Sequence, residues 1–382
     1  MPTTTKLPQG ARILAQRLVL PVARETAVLR VNPALPSDPA LRAIADDVAA
    51  RMRFAMCAAA ANPSAHRRHA FGEQFHAFLA SRPAVMRQHA AERATALLGS
   101  PEVIKRATFG RYMSLAATDA AQLGPAGLGA KVGTPALDGQ AVSAAFSRLT
   151  SALAKVPPEA GTGKVVVKSG TLPFTKLRLF VKRVRCIEET AEIGSDEILM
   201  SSVNSDPLGG TWIGHTWEVD GDMDEGDLVE YPGLGHKVTG WNLVTTKGWP
   251  CVYGTLLCMA EEDDGGFGAF LKYVWGEVRE EVQGLAAGLV AGLAVGAATA
   301  NVLAGIVAGV VVAIIDFLVS LLTDNKDEVA RPAVLTLTLA AATKAYYDWA
   351  KLTSASGLTG VINYRFDTGH YRVLFGYKVF TS

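Results

Sequence analysis

"GLAAGLVAGLAVGAATANVLAGIVAGVVVAIIDFLVSLL" occupies residues 284–322 and carries a single charge, Asp316, in 39 residues. The rest of the chain has the composition of a soluble protein, because 19% of its 382 residues are charged and its net charge is +1. An apolar segment of this length is typical of a membrane span or of helices in a core. The prediction of fold and function therefore depends on how this segment packs.

The glycines of this segment recur every four residues. They are Gly284, Gly288, Gly292 and Gly296 in the first part, and Gly305 and Gly309 in the second. This spacing places them on one ridge of a helix, where the missing side chains let another helix approach closely. Asn301 separates 17 residues from 21 and is the predicted turn. The pattern predicts a glycine zipper, that is, a tightly packed helical hairpin.

Three interpretations of the hairpin stay open. It could span a membrane permanently, which requires about 20 apolar residues per span. It could be a permanent core element, with Asp316 satisfied by a helix N-terminus or by an arginine of the N-terminal half. It could also insert conditionally, with Asp316 neutralised by protonation before insertion. In this third respect it resembles the sheltered hairpin of pore-forming colicins, in hydropathy and layout only, over about 40 residues.

Residues 1–160 are predicted to be basic and mainly helical. Asp38 is a cap candidate ahead of apolar residues at helical spacing, Pro83 is expected to break a later helix and Gly99 to end it. Residues 123–139, LGPAGLGAKVGTPALDG, are predicted to form a loop because they are rich in Gly and Pro. A further helix is expected in residues 138–158, where two prolines end it.

Short strand-like runs follow residue 160. In KLRLFVKRVRC, residues 176–186, apolar residues alternate with Lys and Arg, which is typical of a half-buried antiparallel strand. The closing VINYRFDTGHYRVLFGYKVF predicts a β-hairpin that turns at Asp367-Thr368-Gly369. The predicted fold class is α+β. It combines a helical N-terminal region (1–160), an antiparallel β-sandwich in two parts (161–266 and 330–382) and an inserted helical hairpin (267–329).

Charge is unevenly distributed along the chain. Residues 1–170 contain 21 Lys and Arg against 10 Asp and Glu, whereas the remainder contains 16 against 26. Two regions that attract each other would have this pattern, and so would neighbouring copies that pack head to tail. A basic half that binds anionic surfaces, or two solvated surfaces, would also account for it.

The cysteines and the N-terminus bear on the cellular compartment. The four cysteines match no zinc or redox spacing, so buried free thiols in a reducing compartment are expected. RILAQRLVLPVAR carries Arg17 within a very short apolar run and does not predict a cleavable signal. We expect synthesis in a bacterial cytoplasm, with any export by a non-classical route.

Catalytic signatures are not found in the sequence. It contains no Walker loop, dinucleotide fingerprint, nucleophile elbow or zincin helix. His66, His69 and His76 lie close together, but no carboxylate or cysteine completes a metal set there, which favours a surface helix. We therefore predict that the protein is not an enzyme. No small-molecule substrate and no nucleic-acid partner is predicted.

Two acidic loops at strand ends suggest calcium as the one candidate cofactor. Hard oxygen ligands clustered on loops suit this ion. Here the chain resembles the calcium- and phospholipid-binding β-sandwich first described as the second conserved region of protein kinase C. Asp196 falls on the aspartate of that family's first-loop signature, and Glu261 and Asp263 fall on its third-loop pair. Glu197 and Ile198 replace the proline and tyrosine of the signature.

A third acidic stretch, residues 220–230, places Asp220, Asp222 and Asp224 at alternate positions. This spacing is similar to the start of an EF-hand loop, in which the sixth residue is glycine. Here Gly226 is the seventh residue, and no helix is evident on either side. A β-turn is the favoured interpretation.

Two functional hypotheses follow. The first is a secreted or injected bacterial-type toxin that inserts its sheltered hairpin into a membrane and forms a pore. The second is a structural or self-assembling protein, in which the hairpin is a permanent core element and opposite charges organise contacts between copies. The expected partner is accordingly a membrane or a second copy of the chain.

Overall fold

The computed structural model shows an α+β fold with helices and two antiparallel sheets, as predicted. It describes residues 27–31, 36–66, 69–154, 174–189, 196–207, 210–243, 251–261, 267–289, 297–322, 330–339, 352, 355–366 and 369–381. The helices are α1 (Pro39–Ala61), α2 (Ala70–Ala80), α3 (Ala84–Leu98), α4 (Glu102–Phe109), α5 (Ala117–Val132), α6 (Gly139–Ala154), α7 (Phe267–Leu289) and α8 (Ala297–Leu322). All but the last two lie in the N-terminal half.

The predicted helix boundaries at Asp38, Pro83 and Gly99 are confirmed. The Asp38 carboxylate accepts a hydrogen bond from the backbone N–H of Ala40 at 3.1 Å and caps α1. Pro83 precedes α3 and Gly99 ends it. Asp38 acts through its side-chain acceptor and Pro83 through its restricted backbone, whereas Gly99 keeps a right-handed backbone with φ at −86°.

One prediction for the N-terminal half was wrong. Residues 123–132 are not a loop, because α5 continues through them with a kink at Gly124, where φ is 66°. Pro125 follows that kink and begins a new helical turn, a position at which proline loses no hydrogen bond. The N-terminal half also contains one strand among the described residues, β1 (Ala27–Val31).

The remaining strands are β2 (Lys176–Glu188), β3 (Asp196–Ser205), β4 (Thr211–Ile213), β5 (Trp217–Met223), β6 (Leu228–Glu230), β7 (His236–Asn242), β8 (Cys251–Glu261), β9 (Ala333–Leu339), β10 (Leu358–Arg365) and β11 (His370–Phe380). Sheet A has the order β1-β9-β8-β3-β4, with β5 also paired to β3. Sheet B has the order β10-β11-β2-β6, with β7 also paired to β2. The predicted hairpin of β10 and β11 is confirmed. Residues 164–170, KVVVKSG, are the first of the strand-like runs after residue 160 and lie outside the described residues.

The two sheets enclose one hydrophobic core. In β2, Leu177, Leu179 and Val184 are fully buried, whereas Arg183 and Arg185 are exposed, as the alternation predicts. Buried tyrosines, among them Tyr364 and Tyr377, and two tryptophans, Trp217 and Trp241, fill the space between the sheets. The charged residues of β2 that alternate with these buried residues therefore lie on the outer face of sheet B.

A second core lies between sheet A and the helices. Val203, Leu256, Cys258 and Val334 project from sheet A into the same cluster as the buried residues of the helices. The molecule thus has three layers: helices, sheet A and sheet B. Helices α7 and α8 connect β8 to β9, which are neighbouring antiparallel strands of sheet A. The chain therefore leaves the sheet for the helical layer and returns to an adjacent position.

The predicted turn of the helical hairpin was wrong. Asn301 lies within α8, four residues after its first residue, and the two helices are separated by residues 290–296. The lead-in FLKYVWGEVREEVQ is continuous with the first part of the apolar segment in α7. Asparagine is tolerated inside a helix when packing outweighs its low propensity, and α8 is strongly apolar on both sides of it.

Candidate functional site

Helix α8 is covered on both of its sides. It contacts α1, α3 and α6 in the helical layer and strands β8 and β9 of sheet A. Its residues Ile306, Val310, Ile314 and Leu321 are at most 1% exposed. The most apolar helix of the protein is therefore sheltered between the N-terminal helices and the outer face of sheet A.

Helix α8 also has the length and composition of a membrane span. Its segment Gly305–Leu322 has 18 residues, a mean hydropathy of 2.6 and 61% of its residues buried. Within the described part of the chain, no other helix passes the same test. An 18-residue helix is about 27 Å long, close to the roughly 30 Å of a bilayer core. A buried core helix of a soluble protein has the same properties, so length and composition alone do not decide between the two.

Helix α7 is held to α2 by aromatic side chains. Phe270 lies 4.9 Å from Phe78 and 5.2 Å from Phe75, measured between ring centroids. Phe71 is 6.3 Å from the same ring. Aromatic pairs at these separations add to the burial of their apolar surface. The start of the hairpin is thereby fixed to the N-terminal helices.

A buried ion pair joins α1 to α7. Arg51 Nη2 lies 2.5 Å from Glu281 Oε2, and the two side chains are 4% and 14% exposed. Burial raises the pKa of Glu281, and the charge of Arg51 opposes this rise, whereas Glu277 and Asp47 add to it. Sequence analysis missed this pair, because its members are far apart in the chain and only the general charge asymmetry pointed to such contacts.

A polar network supports the same junction. Arg111 donates hydrogen bonds to Asp47 at 2.7 and 3.2 Å, and the Tyr112 hydroxyl donates to Asp47 at 3.0 Å. The Arg51 guanidinium lies over the Tyr112 ring, 6.0 Å from its centroid. Gly129 of α5 leaves room for Arg51, because a Cβ at that position would overlap Arg51 Nη1. Arg51 is therefore enclosed by α1, α5 and α7.

Asp316, the single charge of the apolar segment, lies between two arginines. Arg331 donates a hydrogen bond from Nη2 to Asp316 Oδ2 at 2.5 Å. Burial raises the pKa of Asp316, while the charges of Arg331 and Arg53 oppose the rise. Arg53 also lies 5.6 Å from the centroid of the Phe317 ring. The expected arginine of the N-terminal half is thus present as Arg53, but the direct partner is Arg331, just before β9.

The predicted glycine ridge is only partly within the described structure. Gly288 lies in α7 and Gly309 is buried in α8, whereas Gly292 and Gly296 lie outside the described residues. Around Gly284 and Gly305, no heavy atom of the described residues would lie within 4 Å of an added Cβ. At these two positions, no described residue makes a close helix contact that needs the missing side chain.

The candidate calcium residues are only partly described. Asp196 is the first residue of β3 and Glu261 the last of β8, and Glu261 pairs with Ile198, two residues from Asp196. The backbone therefore places these two residues on neighbouring strands at one end of sheet A, whereas Asp263 lies outside the described residues. Among the described residues, no group of three His, Cys, Asp or Glu could hold a metal. The calcium site stays a prediction.

The acidic stretch at residues 220–230 forms strands and a turn, as favoured from its sequence. Asp220 and Asp222 lie in β5, and Asp224 begins the turn to β6. Gly226 adopts a φ of 94°, which is accessible mainly to glycine. Asp227 closes the turn by accepting a hydrogen bond from the backbone N–H of Asp224 at 3.1 Å.

The cysteines and histidines take structural roles. The four cysteines are buried free thiols, as expected. His69 caps α2, since its Nδ1 accepts from the backbone N–H of Gly72 at 3.0 Å and its Nε2 lies 2.7 Å from the carbonyl oxygen of Ala120.

The two resemblances noted in the sequence are neither supported nor contradicted by known proteins. No family model, curated protein or solved structure matches the chain.

Proposed function

We propose that this protein is a non-enzymatic, membrane-acting toxin that shelters its α7–α8 hairpin in the resting fold and inserts it into a target bilayer. The observation that carries the proposal is the combination of a largely buried apolar helix with two glycines, Gly284 and Gly305, that no described residue contacts closely. Helix α8 is long and apolar enough to span. Its neighbours α1, α3 and α6 keep it from water until the helical layer opens.

The glycines support a second state of the hairpin. A glycine in a helix interior costs about 0.8–1.0 kcal/mol relative to alanine. In the resting fold, Gly284 and Gly305 gain no close contact from the described residues in return for that cost. Small residues at four-residue spacing are what allows two helices to approach closely inside a bilayer, where there is no hydrophobic drive for association. A membrane-embedded hairpin would therefore use the glycines that the resting fold leaves open.

The fold can release the hairpin without losing its sheets. The core between sheets A and B is formed by residues other than those of α7 and α8. Strands β8 and β9 pair directly with each other through a ladder from Cys251–Leu339 to Leu257–Ala333. Opening of the helical layer would therefore leave the sandwich as a stable base, to which both ends of the hairpin stay attached.

Liposome leakage with matched glycine variants tests the proposal. Wild-type protein should release dye from vesicles at neutral pH or at about pH 5, where carboxyl groups with raised pKa begin to protonate. Gly305→Leu should leave the melting temperature nearly unchanged but reduce leakage several-fold, because a large side chain would separate the membrane helices. Gly276→Leu is the matched control. This glycine of α7 has equally open surroundings but lies outside residues 284–322, so leakage should persist.

Absence of leakage and of vesicle binding by the wild type at both pH values would contradict the proposal. The hairpin would then be a permanent core element, and the structural or self-assembling alternative would replace the membrane-acting one. Equal loss of leakage in Gly305→Leu and Gly276→Leu would show that any added bulk on the hairpin blocks insertion, and would remove the argument from the glycine ridge.

A further inference from the structure

The outer face of sheet B carries a cluster of cationic side chains, here called the basic face. It comprises Arg178, Arg183 and Arg185 on β2, Lys237 on β7, and Arg372 and Lys378 on β11. The residues that alternate with them on β2, such as Leu179 and Val184, point into the core between the sheets. This face lies in the half of the chain with net negative charge, so the sequence-level charge asymmetry did not reveal it.

Like charges face each other across neighbouring strands on this face. Arg185 pairs in register with Arg372, and Arg178 pairs with Lys378. Such pairs destabilise a sheet unless an anion lies between them. Among the described residues, only Arg183 of these six has a carboxylate partner, Glu230, at 2.5 Å. Most positive charges of the basic face are therefore not balanced by a carboxylate of the described residues.

Two titratable groups at the basic face respond to its positive charge. Burial lowers the pKa of Lys182, and the nearby charge of Lys378 lowers it further. Burial also lowers the pKa of His370, and Arg365 and Arg372 add to this effect against the opposing charge of Glu188. In both groups burial is the larger cause of the lowered pKa, and the neighbouring positive charges act in the same direction.

The same chain carries a complementary surface, here called the acidic turn. It comprises Asp220 and Asp222 near the end of β5, which belongs to sheet A, and Asp224, Glu225 and Asp227 in the turn from β5 to β6. Four of these five residues are exposed, and none forms an ion pair with a described residue. The Cys186 N–H donates to the carbonyl of Asp227 at 3.0 Å, and the Gly226 N–H donates to the carbonyl of Cys186 at 3.2 Å. These bonds attach Gly226 and Asp227 of the acidic turn to β2, next to Arg185 at the edge of sheet B.

We propose that the basic face binds the acidic turn of a second copy of this chain. Because the two surfaces adjoin in each molecule, two copies related by a two-fold axis can place each acidic turn on the other's basic face at the same time. Such reciprocal contacts are the commonest form of protein self-association. The net charge of the chain is only +1, so two copies meet without long-range repulsion.

The size of the surface suits a dimer. Strand β2 has 13 residues, and with four strand positions about 4.8 Å apart the face covers on the order of 700 Å². A standard interface uses roughly 800 Å² from each partner. The basic face is on the opposite side of the sandwich from the helical layer. The inference is therefore independent of the proposed membrane function, since association would leave the hairpin undisturbed.

Sedimentation velocity with charge-reversal variants tests the proposal. Wild-type protein should be dimeric at about 50 mM salt and dissociate at about 500 mM, where charges are screened over a few Å. Arg185→Glu/Arg372→Glu and Asp222→Lys/Asp224→Lys should each be monomeric at low salt. An equimolar mixture of the two should associate again, because the intact surface of each variant meets the complementary surface of the other. Lys105→Glu/Arg106→Glu, with the same change of charge on α4, is the control and should stay dimeric.

Three outcomes would overturn the proposal. One is a wild-type protein that is monomeric at low salt. Another is a mixture of the two variants that stays monomeric while both keep the wild-type melting temperature. The third is a monomeric wild type that floats with anionic phospholipid vesicles but not with neutral ones, with flotation lost in Arg185→Glu/Arg372→Glu. That result would assign the basic face to a lipid surface instead.

Discussion

Arg51 and Glu281 form an ion pair that connects the basic N-terminal half to the acidic C-terminal half inside the helical layer. Of the explanations for the charge asymmetry, this pair favours attraction between two regions of one chain. The contact is buried, so it depends little on salt, unlike exposed pairs. It also lies where α1, α5 and α7 meet, and any opening that frees the hairpin has to break it.

Removal of Arg51 should destabilise the fold. We expect Arg51→Met to lower the free energy of unfolding at pH 7 by about 3 kcal/mol, because Glu281 is left buried without its cation. The loss should diminish as the pH falls through the raised pKa of Glu281, since the protonated carboxyl needs no counter-charge. Urea denaturation at several pH values measures this. The double variant Arg51→Met/Glu281→Gln is the control and should recover most of the stability at pH 7.

Asp316→Asn should stabilise the resting fold at pH 7. The pKa of Asp316 is raised in the fold, mainly by burial, so its ionised form opposes folding above that pKa. The gain should disappear as the pH falls below the unfolded value near 3.8, because the wild-type carboxyl is then protonated in both states. The same variant should shift vesicle leakage to higher pH, since no proton is needed before insertion. A stability gain that persists at low pH would show that packing, rather than charge, is responsible.

Two glycine-to-alanine substitutions in helices should have opposite effects. Gly305→Ala adds a methyl group where no described atom lies within 4 Å, and should stabilise the fold by up to about 1 kcal/mol through helix propensity. Gly129→Ala places the same methyl group against Arg51 and should destabilise the fold by roughly 1–3 kcal/mol. Thermal unfolding of both variants measures the difference. A destabilised Gly305→Ala would mean that the ridge is already a close contact in the resting fold.

The calcium site can be tested by linkage. If Asp196, Glu261 and Asp263 bind calcium, millimolar calcium should raise the melting temperature, and Asp196→Asn should abolish the increase. Asp206→Asn, at the opposite end of β3, is the control and should keep it. Identical melting curves with calcium and with a chelator would eliminate the site.

The sequence predicted best where local chemistry decides the structure. The cap at Asp38 and the alternation in β2 depend on residues that are close in sequence, and both are confirmed. Predictions failed where a distant contact overrides local preference. Strand β1 forms because Ala27–Val31 pairs with β9, and no pattern within five residues specifies a partner about three hundred positions away.

For the candidate site, too, local patterns were predictable from the sequence and contacts between distant residues were not. The apolar segment and its single charge were evident from composition alone, and the structure places the segment under the N-terminal helices. The partners of its charged residues were not predictable, because Arg331 and Arg51 reach Asp316 and Glu281 only through tertiary packing. Asn301 was predicted to be a turn because it is a polar residue within an apolar segment. It lies inside α8, which tolerates a residue of low helix propensity.

The order of layers along the chain has a consequence for biosynthesis. Helices α1, α2, α3 and α6, which contact α7 or α8, all precede the hairpin in sequence, whereas β9 follows it. During translation, the parts of a chain fold in the order in which they leave the ribosome. The apolar segment thus emerges next to helices that are already made and ready to receive it. If the hairpin inserts into membranes as proposed, this order would help to keep the nascent segment out of the producing cell's own membrane before the chain is complete.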